Sequence, residues 1–306
     1  RVLSPRLPAH AEANALTRAL DSFHRRGVRI IDLPESNPTR SGICYPTGLL
    51  EPLPDAAALE YDPHPFGLPS ARNAVAADQG RRGATVDPAQ VVLTASTSEA
   101  YSWLFKLLCR AGDTVLVPQP SYPLFEQLTE LESVRAHPYL LEYHQTWSID
   151  MSSLADAPDN TRALLIVSPN NPTGSYLTRN DFAAVQALCR RRGWALIADE
   201  VFADYPLEAA DPLTDIAAAT DVLSFSLGGL SKTVGLPQLK LGWMIVGGSA
   251  SDRTAALASL ELIADTYLSV GTPVQIALPQ LLRAGASVRS AIHVRIRHNL
   301  AVLRAA

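Results

Sequence analysis

From about residue 90 onward, the chain alternates short apolar runs with longer amphipathic segments. The runs are at most seven residues long and apolar almost throughout, as in strands of a parallel sheet that is buried on both faces. The amphipathic segments have the length of helices, so the alternation predicts an α/β fold: a mostly parallel sheet with helices on both faces. The candidate strands are Val91–Ala95, Thr114–Pro118, Ala163–Ser168, Trp194–Asp199, Val222–Ser226 and Leu241–Gly247; the candidate helices are Ser98–Arg110, Tyr122–Glu132, Thr178–Arg192 and Ser251–Leu268.

The two ends of the chain follow a different pattern. Helices over Ala11–Arg26 and Ser70–Gln79 flank a proline-rich stretch, residues 34–69, for which we expect irregular structure. A long irregular segment usually covers a site or an interface. From Ser287 the apolar residues recur at near-helical spacing, which predicts a long helix that runs to the last residue, Ala306. We expect a further element beyond this helix; a terminal helix docked on the body is the alternative.

Charge and composition argue against several classes of partner. The net charge of the 306 residues is −4 and no basic block occurs, so we expect no nucleic-acid partner. No apolar run reaches the roughly 18 residues of a membrane-spanning helix, so we expect no membrane partner. The three cysteines (Cys44, Cys109 and Cys189) are widely spaced, so neither a disulfide framework nor a metal site is expected. Because the first residues lack an apolar secretory leader, we expect a cytoplasmic protein.

Three consecutive hydroxyl residues follow the first candidate strand. Ser96, Thr97 and Ser98 open the next helix, where backbone N–H groups and the helix dipole favour a phosphate dianion. A capping box, formed by Ser96 with Glu99 three residues later, explains the same pattern without any ligand. These residues alone leave both interpretations open.

Three further strand ends carry polar groups. The segment SPNNPTG at 168–174 forms a rigid turn in which Asn171 can donate to a ligand oxygen. Asp199 ends an apolar strand, where it either caps a helix or faces a cationic ring nitrogen as a fixed anion. Lys232 lies between small residues near another strand end. It is either a solvated loop lysine or an amine whose pKa is lowered by burial, so that it can attack a carbonyl.

Taken together, these groups match the binding requirements of pyridoxal 5′-phosphate. Its phosphate needs a helix N-terminus and its 3-oxygen needs a hydrogen-bond donor. Its ring nitrogen needs a carboxylate, and its aldehyde needs an amine. The four strand ends supply these groups in that order, so the sequence predicts this cofactor.

The same motifs resemble those of the class I and II aminotransferases, which are pyridoxal-phosphate enzymes of fold type I. The resemblance starts at DLPESNP (32–38) and is most specific at SPNNPTG (168–174), ADEVF (198–202) and LSKTVGLPQLKLGW (230–243). It implies a sheet of the seven-stranded type. It also implies an N-terminal segment (1–40) at the small domain or domain interface, a large cofactor-binding domain (41–286), and the start of an interdomain helix (287–306). The C-terminal small domain, which supplies an arginine for the substrate's α-carboxylate, is then missing or truncated.

The resemblance also implies a role for each site residue. Lys232 forms a Schiff base with the cofactor and later moves the proton between the substrate Cα and the cofactor C4′. Asp199 pairs with the pyridine nitrogen, and Asn171 donates to the 3-oxygen. The other cofactor-binding positions are Ser96, Thr97 and Ser98 in the phosphate loop, Tyr122 stacked on the ring, Ser231, Lys240 near the phosphate, and Tyr61 reaching the neighbouring subunit's phosphate. Tyr61 implies a homodimer with a shared active site. A core tyrosine in a proline-fixed turn is the alternative for Tyr122.

Four positions depart from the family pattern. Phe202 stands where a tyrosine often bonds the 3-oxygen, and Tyr205 is a possible substitute for that hydroxyl. Gly229 replaces a phosphate-binding serine, and Lys240 replaces an arginine. Ser36 replaces a glycine and is expected to crowd the substrate carboxylate.

The expected activity is transfer of an amino group between an amino acid and a 2-oxo acid. A lyase that performs β-elimination, or a racemase, on the same fold is one alternative, because it would use the same cofactor residues. A catalytically impaired cofactor-binding or regulatory protein is another, motivated by the missing carboxylate arginine.

Overall fold

The computed structural model describes residues 4, 6–7, 15–31, 35–207, 216–218 and 220–306. Residues 11–14 of the first predicted helix and residues 32–34 of the DLPESNP motif lie outside these ranges. The helices are Ala15–Arg25 (α1), Pro69–Gly80 (α2), Thr97–Leu108 (α3), Leu124–Leu131 (α4), Arg179–Arg192 (α5), Leu230–Thr233 (α6), Ala250–Tyr267 (α7), Thr272–Ala284 (α8) and Ala286–Ala305 (α9). The strands are Val91–Thr94 (β1), Thr114–Gln119 (β2), Arg135–Tyr143 (β3), Trp147–Ile149 (β4), Thr161–Val167 (β5), Ala195–Asp199 (β6), Ser224–Gly229 (β7) and Gly242–Gly247 (β8).

The strands of the described residues form one sheet in the order β1-β8-β7-β6-β5-β2-β3-β4. Neighbours from β7 through β6, β5 and β2 to β3 are parallel. Strand β8 is antiparallel to both β1 and β7, and the short β4 is antiparallel to the end of β3. The predicted fold class, a mostly parallel α/β sheet, is confirmed. The sheet has eight strands instead of seven because β4 adds a three-residue hairpin arm.

The six predicted strands and the predicted helices are confirmed, with ends shifted by a few residues. Two strands, β3 and β4, and two helices, α6 and α8, were not predicted. Most residues of β3 are partly or fully exposed, so it has no apolar run to mark it. The helix α8 has Pro279 in its interior, which disguises its apolar spacing. The described part of the proline-rich stretch contains only a short 3₁₀ turn, Ala56–Leu59, as expected.

Strands β1, β2, β5, β6, β7 and β8 are buried on both faces. Val92, Met244 and their neighbours on one face pack against α3, α4 and α7. On the other face, Val91 and Ile245 pack against α2 and α8, and Leu164 and Leu196 pack against α5. This double burial explains why the strand sequences are continuously apolar instead of alternating. None of the helices in the described ranges is long and apolar enough to cross a membrane.

Candidate active site

The candidate residues gather at one edge of the sheet. Strands β5, β6 and β7 are parallel, so their carboxyl ends meet. Strand β1 ends at the same edge, because β8 is antiparallel to both β1 and β7. The segments that follow these four strands carry Ser96, Asn171, Asp199 and Lys232, with Asp199 itself the last residue of β6. Open α/β sheets bind ligands at such carboxyl edges.

Asp199 is a buried carboxylate between two strand ends, opposite Val167 on one side and Leu227 on the other. Its Oδ2 accepts a hydrogen bond of 2.7 Å from the Tyr101 hydroxyl, and its Oδ1 accepts one of 3.2 Å from the Val201 backbone N–H. Burial raises the pKa of Asp199, while these hydrogen bonds and the charge of Lys232 oppose the rise. A turn follows β6, so Asp199 does not cap a helix.

Lys232 is a half-buried amine in the short helix α6. Burial lowers the pKa of Lys232, and the negative charge of Asp199 acts against that decrease. The two side chains are therefore close enough to interact electrostatically. The Lys232 Nζ lies 5.4 Å from the centre of the Phe202 ring. This environment is not that of a solvated loop lysine.

The Tyr205 hydroxyl donates a hydrogen bond to the Lys232 backbone carbonyl oxygen. The Tyr205 hydroxyl therefore anchors α6. The structure does not support Tyr205 as a replacement for the hydroxyl that Phe202 lacks. Burial raises the pKa of Tyr205, so it stays a neutral donor.

A cavity of about 310 Å³ opens beside Lys232. Ser231 and Phe202 line it from the sheet side, Ser36 from the irregular N-terminal segment, and Arg295 from α9. The Arg295 Nη1 donates to the Ser41 carbonyl oxygen at 3.0 Å, which ties α9 to the N-terminal segment across the cavity. The helix α9 and the N-terminal segment therefore both cover the cavity that Lys232 lines.

The start of α3 forms the predicted helix cap with Ser96, the first of its three hydroxyl residues. The Ser96 side chain caps the helix by accepting from the Glu99 N–H at 3.2 Å, and Glu99 accepts from the Ala95 N–H at 2.7 Å. The Ser96 half of the capping box is thus formed, whereas Glu99 reaches back to Ala95, one residue before the N-cap. Within the described ranges, the hydroxyls of Thr97 and Ser98 make no hydrogen bond. These two hydroxyls and the first-turn N–H groups remain open to an anion.

The two asparagines of SPNNPTG have different roles. The Asn170 side chain donates to the Pro120 carbonyl at 3.2 Å and to the Thr173 hydroxyl at 2.9 Å, so it builds the turn. The half-buried Asn171 side chain makes no hydrogen bond to any described residue. The turn therefore accounts for the side-chain amide of Asn170, while the side-chain amide of Asn171 has no partner among the described residues.

The remaining predicted residues are more exposed. Tyr122 is 48% exposed, so it is not a core tyrosine. Tyr61 is 79% exposed and borders a separate, smaller cavity near Trp103 and Gln275, away from the one that Lys232 lines. Lys240 is exposed and adopts a left-handed backbone conformation with a φ of 50°.

The departure at Gly229 has a packing cause. Gly229 lies opposite Gly242 where β7 and β8 pair. A Cβ at Gly229 would lie 3.1 Å from the Gly242 Cα and 3.2 Å from the Leu241 carbonyl oxygen, both of them backbone atoms. A serine is therefore disfavoured at this position unless β8 moves.

Tyr101 is the site residue that sequence reasoning missed. It lies in α3, and its contact with Asp199 joins residues 98 positions apart. A polar aromatic residue on the apolar face of α3 was the available signal, because a buried tyrosine hydroxyl usually needs a partner.

Residues 58–305 match the family model for aminotransferase class I and II. The chain belongs to the class I and II aminotransferase family. This finding confirms the resemblance and the expected cofactor, since the enzymes of this family depend on pyridoxal phosphate.

Curated relatives of this aminotransferase-family chain include glutamate-pyruvate aminotransferase AlaA of Haemophilus influenzae, 28% identical over 93% of the chain and 70% of the relative. The Escherichia coli protein of that name is 27% identical over 85% of the chain and 65% of the relative. Nicotianamine aminotransferase B of Hordeum vulgare is 32% identical over 78% of the chain and 41% of the relative. The chain thus spans about two thirds of the first two relatives and less than half of the third.

Solved structures share the fold. A crystal structure of an aminotransferase from Escherichia coli superposes with a TM-score of 0.78 at 26% identity, over 90% of this chain and 70% of that one. Alanine aminotransferase from Pyrococcus furiosus superposes with a TM-score of 0.80 at 23% identity, over 94% and 75% of the two chains.

Proposed function

We propose that this protein is a pyridoxal-phosphate-dependent aminotransferase that moves an amino group from an amino acid to a 2-oxo acid. The observation that carries the proposal is that a buried carboxylate, Asp199, and a half-buried amine, Lys232, lie at the carboxyl edge of the sheet, close enough for each to shift the pKa of the other. Family membership supports the same activity.

The side chains at this edge fit pyridoxal phosphate. The uncommitted amide of Asn171 can donate to the 3-oxygen, and Asp199 can accept from the ring nitrogen. The N-terminal turn of α3 can hold the phosphate. When bound, the cofactor supplies an aldehyde that condenses with amines and a ring that accepts the electrons of a broken Cα bond.

The protein's own groups then position the substrate and move one proton. Because burial lowers its pKa, a larger fraction of the Lys232 Nζ is neutral, and so able to act as a nucleophile and base, than for a solvated lysine. It takes the proton from the substrate Cα and delivers it to the cofactor C4′. Asp199 keeps the ring nitrogen protonated, which preserves the electron sink, while the second half-reaction runs the same transfers in reverse with another 2-oxo acid.

The other predicted positions retain the roles inferred by resemblance. We assign Ser96, Thr97, Ser98, Ser231 and Lys240 to cofactor binding, with Ser96 acting through its helix cap and backbone. We assign Tyr122 to the ring face and Tyr61 to the partner subunit's site in a homodimer. The proposed location is the cytoplasm. The proposed domain layout is a large domain over 41–286, flanked by the segments 1–40 and 287–306 that lead to a small domain.

A half-reaction tests this function. The purified protein is loaded with pyridoxal phosphate and mixed with one amino acid and no 2-oxo acid; L-glutamate and L-alanine come first, since relatives are named for them and their 2-oxo acids. We expect stoichiometric pyridoxamine phosphate and 2-oxo acid. Release of pyruvate and ammonia from a β-substituted amino acid without pyridoxamine phosphate would indicate a lyase. Cofactor binding without turnover of any amino acid would indicate a regulatory protein.

Lys232→Ala provides the matched variant. We expect it to lose the visible absorption band of the lysine–cofactor adduct and to slow the half-reaction by about 100- to 10,000-fold, because both the nucleophile and the base are gone. Unchanged turnover in this variant would overturn the assignment of Lys232.

A further inference from the structure

The hydroxyl of Tyr101 is a buried polar group at the site that none of the residue roles assigned so far uses. The side chain is 3% exposed and lies on the face of α3 that packs against the sheet. Its ring contacts Phe125 edge-on, with the ring centres 5.3 Å apart, and lies 6.1 Å from Phe105. These contacts hold the ring without help from the hydroxyl.

Among the described residues, the only hydrogen-bond partner of the Tyr101 hydroxyl is Asp199. The bond is 2.7 Å long and ends on Oδ2, while Oδ1 accepts from the Val201 N–H. Each carboxylate oxygen can accept about two hydrogen bonds. One protein donor on each oxygen therefore fixes the plane of the carboxylate and leaves each oxygen able to accept one further hydrogen bond.

The Tyr101 hydroxyl remains a donor throughout. Burial and the negative charge of Asp199 raise the pKa of Tyr101 well above its ordinary value. A neutral hydroxyl that donates to a carboxylate favours the ionised form of that carboxylate. Tyr101 is one of three influences that oppose the effect of burial on the Asp199 pKa, beside the Val201 N–H and the charge of Lys232. Its loss shifts the balance towards protonated Asp199, which cannot act as an anion beside a protonated ring.

We propose that Tyr101 is a positioning residue for the ring nitrogen of the cofactor: its hydroxyl holds Asp199 in the orientation and the ionised state that the nitrogen requires. The inference rests on the proposed function, because it presupposes that Asp199 faces that nitrogen. It assigns to α3 a second task, since the N-terminus of the same helix is the proposed phosphate site. One rigid helix would then set both ends of the cofactor.

The test compares two ligands on two variants. Tyr101→Phe removes the hydroxyl and keeps the packed ring. Tyr139→Phe is the matched control, because Tyr139 is also fully buried and its hydroxyl donates to the Leu165 carbonyl at 2.9 Å, outside the site. Dissociation constants are measured by fluorescence titration of cofactor-free protein with pyridoxal phosphate and with its analogue in which C–H replaces the ring nitrogen.

We expect Tyr101→Phe to weaken binding of pyridoxal phosphate by about tenfold or more, as for loss of a hydrogen bond to a charged group. Binding of the analogue should change far less, because it has no nitrogen for Asp199 to hold. The Tyr139→Phe control should bind both ligands like the wild type. Equal losses for both ligands in Tyr101→Phe, or no loss for either, would overturn the role of Tyr101 alone. Absence of pyridoxal phosphate binding in the wild type would overturn the proposed function with it.

Discussion

At the scale of single residues, the site pairs a group that resists ionisation with one that resists protonation. Burial raises the pKa of Asp199 and lowers that of Lys232, and each charge partly offsets the burial of the other. Without a ring between them, both groups are costly to bury in charged form. Burying these two groups therefore lowers the free energy of unfolding of the cofactor-free protein at the proposed cofactor site.

Asp199→Asn tests this cost. The pKa of Asp199 is higher in the folded state than in the unfolded state. As the pH rises above the ordinary aspartate pKa, the unfolded state releases a proton that the folded state still holds. The stability of the wild type therefore falls between the unfolded-state and the folded-state pKa. We expect the cofactor-free variant to be more stable than the wild type at neutral pH. The difference should shrink as the pH falls towards about 4. Urea unfolding between mildly acidic and neutral pH measures it.

Asp150→Asn is the control with the opposite sign. Hydrogen bonds from Ser152 lower the pKa of the exposed Asp150, so its contribution favours the folded state at neutral pH and is lost on acidification. This variant should be less stable than the wild type at neutral pH. A wild type that is more stable than Asp199→Asn at neutral pH would contradict the argument.

At the scale of elements, α3 depends on a cap that the proposed ligand site shares. Ser96 caps the helix and Glu99 accepts from the Ala95 N–H, and the Glu99 Oε2 also accepts a 2.6 Å hydrogen bond from the Ser269 hydroxyl. Glu99 thus ties the start of α3 to the segment between α7 and α8. The first turn of α3 is held before any phosphate arrives.

Ser96→Ala should therefore lower the free energy of unfolding of the cofactor-free protein by about 1 kcal/mol, because one first-turn N–H loses its acceptor. Ser98→Ala, which removes a hydroxyl without a described partner, should change it by less than about 0.5 kcal/mol. Denaturant unfolding of both variants measures the difference. Equal effects would show that the Ser96 hydroxyl is not the cap.

The elements also show which features a sequence can predict. The sequence identified Asp199, Asn171 and Lys232 because a polar side chain at or just after the end of an apolar strand is unusual unless it has a binding partner. The contact between Tyr101 and Asp199 was not identifiable, since it depends on how α3 is rotated against β6. Strand β3 lacked a signal because an outer, partly exposed strand need not be apolar. The spacing of Val274, Ala277, Leu278 and Leu281 in α8 was a signal, but Pro279 obscured it.

At the scale of the whole molecule, the proposed homodimer depends on Tyr61. This residue is 79% exposed and does not line the cavity beside Lys232, as expected for a side chain that serves a neighbouring subunit. If the sites are shared, each active site combines Lys232 of one subunit with Tyr61 of the other. Closed two-fold symmetry then places two such sites in one dimer.

Mixing two inactive variants tests this arrangement. Tyr61→Ala and Lys232→Ala are unfolded together and refolded, and transamination is measured. Each mixed dimer should contain one intact site, so random pairing should restore about a quarter of the wild-type activity. Tyr143→Ala, at another exposed tyrosine, should be active by itself. No recovery from a mixture that forms dimers would contradict a shared site.

The pairing of β1 with β8 joins two strands that lie far apart in the sequence, next to the proposed phosphate site. Val91 in β1 pairs with Ile245 in β8. The edge strand β1 therefore leaves the ribosome long before its partner is translated. Gly242 of that partner lies so close to the start of α3 that a Cβ there would be 3.1 Å from the Ser96 carbonyl carbon. The proposed phosphate site is therefore bordered by a strand translated after both Asp199 and Lys232. Such distant closure slows folding, and the proposed site reaches its final shape only once β8 has paired with β1.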